Sequence, residues 1–64
     1  MKLFFEKNKE IKEIEFQGRL SELIKKLNLT PNSVVIMRGN EILTEDQFVT
    51  NDDELRIFVI VSEG

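Results

Sequence analysis

Hydrophobic positions recur along the whole chain, but with two different periods. Residues 2–6 and 11–16 are short runs rich in aromatic and β-branched side chains, separated by the polar stretch Lys7-Asn8-Lys9-Glu10. Asn8 tolerates the left-handed backbone that a tight turn needs, so the two runs predict an N-terminal β-hairpin. The period then changes. Leu20, Leu23, Ile24 and Leu27 fall at i, i+3, i+4 and i+7, with Ser21, Glu22, Lys25 and Lys26 between them, which is the apolar stripe of an amphipathic helix. Gly18 is a tolerable N-cap, and Asn28 followed by Thr30-Pro31 closes the helix, since proline cannot continue it and pushes the preceding residue towards extended backbone.

Residues 34–37 predict a buried strand, Gly39-Asn40 a turn, and Ile42-Leu43 the short return strand of a second hairpin. Residues 44–50 show no clear period; Phe48 and Val49 are expected to pack inward while Glu45, Asp46 and Gln47 stay in water. Asn51-Asp52-Asp53-Glu54 is a strong turn signal ahead of the most apolar strand, residues 55–61. The order is strand, strand, helix, strand, short strand, strand, with the last strand expected at the centre because it is the most apolar. That is the order of an α+β, ubiquitin-like β-grasp: a mixed four- to five-stranded sheet with one helix packed on one face. A right-handed crossover through the helix sets the first and last strands side by side and parallel. Strand alternation then directs Leu3, Phe5, Ile14, Phe16, Leu55, Ile57, Val59 and Val61 towards the helix.

Composition narrows the function more than the fold. Sixty-four residues make a single domain, with residues 62–64 as a projecting tail, near the lower limit at which a core holds without disulfides or metals. A chain this small has little to spare for a water-excluding cleft, which favours a binding or carrier role over an enzyme. The absence of cysteine removes thiolate chemistry, disulfides and cysteine-ligated metals, and the absence of histidine removes the commonest general base and metal ligand. No cofactor or metal is expected. Nine basic and twelve acidic residues give a net charge of −3, opposite to what a phosphate backbone attracts, so nucleic acid is not an expected partner. The N-terminal apolar run is too short for a signal peptide, and no stretch approaches the roughly 20 apolar residues that span a bilayer. A cytoplasmic location and a monomer with no membrane partner are the default expectations.

Several groups carry candidate chemistry. Arg56, Phe58 and Ile60 have the opposite parity to the core positions of the last strand, and Phe4 shares their outward direction. A single helix covers one face only, so these side chains form a candidate contact surface, unless loops or long charged stems cover them. Glu10, Glu13 and Glu15, and separately Asp52, Asp53 and Glu54, are clustered carboxylates of the kind that bind calcium or magnesium, but neither run has the alternating spacing and central glycine of an EF-hand loop. A solvated turn and an edge strand guarded by charge account for them. Lys25 and Lys26 oppose the helix dipole, and Gly39, without the companions of a phosphate loop, is a turn residue. There remains Ser62-Glu63-Gly64, a short tail after a strong strand. Without a side chain, a terminal glycine is able to follow a narrow channel and present its carboxylate to another protein.

The segment Glu45-Asp46-Gln47-Phe48, followed by Asp52-Asp53-Glu54-Leu55-Arg56-Ile57-Phe58-Val59-Ile60-Val61-Ser62-Glu63-Gly64, resembles the acidic turn, terminal strand and glycine end of the β-grasp sulfur carriers. That family includes the thiamine-biosynthesis sulfur carrier, the small subunit of molybdopterin synthase and the ubiquitin-related modifiers, and the resemblance runs the whole length. It implies that an ATP-dependent, ubiquitin-activating-like enzyme adenylates the terminal carboxylate. The carboxylate is then converted to a thiocarboxylate that gives its sulfur to a synthase in a cofactor or tRNA thiolation pathway. Some relatives instead join target lysines through an isopeptide bond. By the same resemblance Gly64 is the modified residue, Ser62 and Glu63 form the threaded tail, and Phe4, Phe58 and Ile60 belong to the docking surface. Two positions depart from the family pattern: Glu63 stands where the family usually has glycine, and Asp52-Asp53 where it usually has Gly-Asp. The alternative is a non-catalytic, ubiquitin-like interaction module or modifier that works through its exposed sheet face.

Overall fold

The N-terminal hairpin forms, and its strands are shorter than the apolar runs that predict it. A computed structural model of the chain describes residues 1–60 and places β1 at Lys2–Phe5 and β2 at Glu10–Glu13, antiparallel, with Leu3 opposite Lys12 and Phe4 opposite Ile11. Lys9, rather than Asn8, takes the left-handed conformation in the turn, at φ 56°. Ile14 lies beyond β2 yet keeps the pairing going, because its amide donates to the Met1 carbonyl at 3.0 Å and its carbonyl accepts from the Met1 ammonium at 2.8 Å.

The helix α1 spans Leu20–Lys26 and turns Leu20, Leu23 and Ile24 into the core, as its period requires. Gly18 is not its N-cap. That position belongs to Arg19, which makes no side-chain cap bond, while β3 (Gly18–Arg19) pairs with the two residues of β6 (Phe48–Val49). The reason is visible one residue further on. The amides of Leu20 and Ser21, which have no acceptor inside the helix, donate to the carbonyls of Gln47 and Glu45 at 2.9 Å, so a neighbouring loop does the work of a cap. Gly18 is needed for a different purpose: its φ is 157°, and a Cβ there would meet the Phe16 ring at 3.3 Å.

The C-terminus of α1 closes as expected, and with a defined geometry. Asn28 has φ 61°, its amide donates to the Lys25 carbonyl, and the Leu29 amide donates to the Ile24 carbonyl, the paired bonds of a Schellman turn with asparagine at the left-handed site. Replacing Asn28 by glycine should therefore leave stability within a few tenths of a kcal/mol, whereas valine, which resists positive φ, should cost about 1–2 kcal/mol. Urea unfolding curves for the two variants check this; equal midpoints would show that the turn does not depend on that conformation.

A short 3-10 turn, Pro31–Ser33, leads into β4 (Val34–Arg38), which returns through Gly39-Asn40 to β5 (Glu41–Ile42). The final strand, β7 (Glu54–Val59), lies between β1, to which it is parallel, and β4, to which it is antiparallel, giving the sheet order β2-β1-β7-β4-β5. The helix and this mixed five-stranded sheet make the β-grasp that the element order predicts. Leu3, Leu23, Val49 and Ile57 are fully buried between them, with Leu20, Ile24, Ile36 and Leu55 nearly so. Phe5, Ile14, Phe16 and Val59 pack against that core from its margins, while Val61 lies outside the described residues.

The segment of residues 44–50 contradicts one expectation. Val49 is fully buried, but Phe48 is 63% exposed. Consecutive residues of a strand point to opposite sides, so β6 sends only one of its two side chains inward, and the smaller one takes the place. Arg38 fastens this region from outside, donating to the Phe48 carbonyl at 3.4 Å and pairing with Asp53 at 3.3 Å and Glu41 at 3.5 Å.

Candidate functional site: the open sheet face and the root of the tail

The helix covers one side of the sheet; the other side is where the chain's unexplained apolar residues gather. Alternation in β7 turns Arg56 and Phe58 away from the helix, and the register carries that face across its neighbours: Phe4 lies opposite Arg56 on β1, and Val35 and Met37 lie opposite Phe58 and Arg56 on β4. One strand further out, Ile11 pairs with Phe4 and Ile42 with Met37. A strip of apolar side chains thus crosses all five strands. Its two edges are open, with Ile11 58% and Ile42 62% exposed, and Ile60, just past β7, is 52% exposed. Phe4 and Phe58, nearer the middle, are half-buried by their neighbours. Three of the residues singled out from the sequence, Phe4, Phe58 and Ile60, fall on this face or at its end.

The strip holds one cation at its centre. The Arg56 guanidinium lies 6.0 Å from the centroid of the Phe4 ring and forms an ion pair with Glu6 at 3.0 Å. Stacking on the ring and pairing with Glu6 together fix a side chain that would otherwise be mobile, since a lone exposed ion pair is worth at most about 1 kcal/mol. Sequence reasoning missed Ile11, Val35, Met37 and Ile42. Their parity alone does not say which face they take; only the cross-strand register aligns them with Phe4 and Phe58.

β7 also leads, in sequence, to residues 61–64. Val59 is paired with Val34, and the Ile60 amide donates to the Ser33 carbonyl at 2.6 Å, which holds the last described residue against the 3-10 turn. Ser62, Glu63 and Gly64 lie outside the described residues.

The carboxylate clusters are not brought together into a second site. Among the described residues no group of three or more acidic side chains is arranged to hold a metal ion. Glu10 and Glu13 are exposed on the edge strand β2, with Glu15 exposed just after it. A concavity of about 340 Å³ is bounded by Met1, Glu13, Ile14 and Glu15, and one of about 230 Å³ lies beside α1, lined by Leu20, Ile24 and Ile36 among others. In the turn before β7, the Asp53 carboxylate accepts from the Thr50 amide at 2.8 Å, which is a structural duty. Asp46 is held below the usual carboxylate range by the Thr44 hydroxyl, which donates to it at 2.6 Å, and by its own backbone amide; this too is turn chemistry. Among the described residues no helix is long and apolar enough to cross a membrane.

Comparison with known proteins bears on the same elements. No protein-family model matches the sequence. The chain is 39% identical over 57 residues to the sulfur carrier protein TtuB of Thermus thermophilus, an alignment that covers 86% of this chain and 88% of that protein. Proteins of that kind are carriers acted on by others, not catalysts. Identity of this extent, on a β-grasp whose last strand is central, makes the chain a member of the sulfur-carrier family.

Proposed function

We propose that the protein carries sulfur as a thiocarboxylate on Gly64, in the cytoplasm, and that it docks on its activating enzyme through the open sheet face. The observation that carries the reading is the position of β7: one strand supplies the centre of the contact face, through Arg56 and Phe58, and continues in sequence into the tail. A partner that grips the face therefore also holds the strand that leads, in sequence, to Gly64. Adenylation makes the carboxylate electrophilic: the Gly64 oxygen attacks the α-phosphorus of ATP and pyrophosphate leaves. Hydrosulfide from a sulfur donor then attacks the carbonyl carbon, the bond from that carbon to the phosphate oxygen breaks so that AMP leaves, and loss of the thiol proton gives the thiocarboxylate. The acceptor is a synthase, and the receiving pathway is cofactor or tRNA thiolation. The similarity to a protein named as a sulfur carrier supports the cargo, and the glycine at residue 64 supports the site. Glu63 gives the tail one carboxylate more than the Gly-Gly pattern, and the partner has to tolerate it.

Incubation with the cognate adenylating enzyme, ATP and a sulfur donor should raise the intact mass by the difference between sulfur and oxygen, confined to the C-terminal peptide. An unchanged mass, with the enzyme active on another carrier, would overturn the reading. The second reading, an interaction module whose tail is inert, is favoured by Glu63; it expects partner binding with no change of mass.

A further inference from the structure

The charges of this acidic chain are distributed unevenly between its two ends. Because β1 and β7 are parallel, the hairpin turn after β1 lies at the end where β7 finishes, and the Glu6 amide donates to the Ile57 carbonyl at 3.0 Å. The helix runs in the same sense. Its first amides are held by residues 45 and 47, near the turn that opens β7, and its last turn leads through Pro31–Ser33 into Val34, opposite Val59. Lys7 and Lys9 on the hairpin turn and Lys25 and Lys26 on the last helical turn therefore share the end from which the chain leaves β7. All four are exposed.

Glu6 and Glu10 are the acids on those segments, and Glu6 is already shared between Lys9 at 3.3 Å and Arg56 at 3.0 Å. Asp52, Asp53 and Glu54 are at the other end, where β7 begins opposite Lys2. The smallest dimension of the molecule is 23 Å, well beyond the screening distance of about 8 Å at physiological salt, so an approaching surface meets each end as a separate charge. The helix dipole accounts for Lys25 and Lys26, but Lys7 and Lys9 have no helix to serve.

We propose that these four lysines form a cationic collar around the tail exit, which orients the carrier on a rim of carboxylates at the mouth of the enzyme cleft that receives the tail. The inference rests on the reading that an adenylating enzyme takes this tail. Electrostatic complementarity of this kind acts mainly on the rate and orientation of encounter and less on the final affinity. It also lets a protein of net charge −3 approach an acidic partner tail first.

The test measures association of the full chain with the cognate adenylating enzyme, without nucleotide, at low and high salt. Reversal of the collar (K7E, K9E, K25E and K26E together) should slow association about tenfold or more at low salt and flatten its salt dependence. The corresponding glutamine variant should fall between the two, and reversal at the far end (D52K and E54K) should not slow association. Thermal unfolding of each variant confirms the fold. Association of both collar variants at the wild-type rate would overturn the inference alone, as would a loss seen only when ATP is present, which would assign the lysines to the nucleotide. Failure of the wild-type chain to bind the enzyme at all would overturn the proposed function, and the collar with it.

Discussion

Replacing Leu23 by alanine should cost about 2–5 kcal/mol of folding stability. The side chain is fully buried and stands at the middle of the stripe by which α1 meets the sheet, so truncation leaves a void that the helix, held at both ends by defined turns, is poorly able to close. For a domain of this length the total stability is only about 3–10 kcal/mol, so the variant should be near or past its unfolding midpoint at room temperature. Circular dichroism during denaturant titration gives the result directly. A loss below about 1 kcal/mol would show that the core does not close over this residue. Leu27, half-buried at the end of the helix, provides the comparison, and its alanine variant should lose distinctly less.

Phe58→Ala should weaken binding to the adenylating enzyme by about thirtyfold, equivalent to about 2 kcal/mol, while leaving a folded protein. The ring lies on the central strand, opposite Val35 and two residues beyond Arg56, where a partner's surface would exclude water most completely. Because Phe58 is only half-buried in the free protein, its loss opens no internal cavity. Removal of Gly64 is the complementary experiment: thiocarboxylate formation should stop altogether, and affinity for the enzyme should change little. Affinity lost with Gly64 and retained with Phe58→Ala would reverse the assignment, giving recognition to the tail instead of the face. Titration calorimetry alongside intact-mass measurement separates the two.

The elements that could be read from the sequence are those in which a single period governs. The spacing of Leu20, Leu23, Ile24 and Leu27 fixes α1, and the apolar run from Ile57 to Val61 marks the last strand as the most apolar, which the sheet order sets at the centre. The end of α1 at Asn28 was legible because Thr30-Pro31 cannot continue a helix, whereas the positive φ of Asn28 appears only in the structure. Gly18 was misread because a glycine ahead of a helix signals a cap, and nothing local reveals that carbonyls some 25 residues away fill the role. Phe48 was misread because hydrophobicity gives a residue's preference, whereas strand geometry gives its side, and Val49 had already taken the inner one. The open sheet face was half legible: parity set Phe4, Phe58 and Ile60 towards it, but Ile11 and Ile42 join it only through pairings between strands.

The central placement of β7 bears on what happens when something pulls. A segment that continues from an edge strand peels away one hydrogen bond at a time, like a zip. The segment after Val59 continues instead from a strand bonded along both flanks, to β1 in parallel and to β4 antiparallel. Tension applied along it has to slide the two ladders together, with many bonds loaded at once. A pull along β7 is thereby shared between two neighbouring strands, and the strand does not come away one bond at a time.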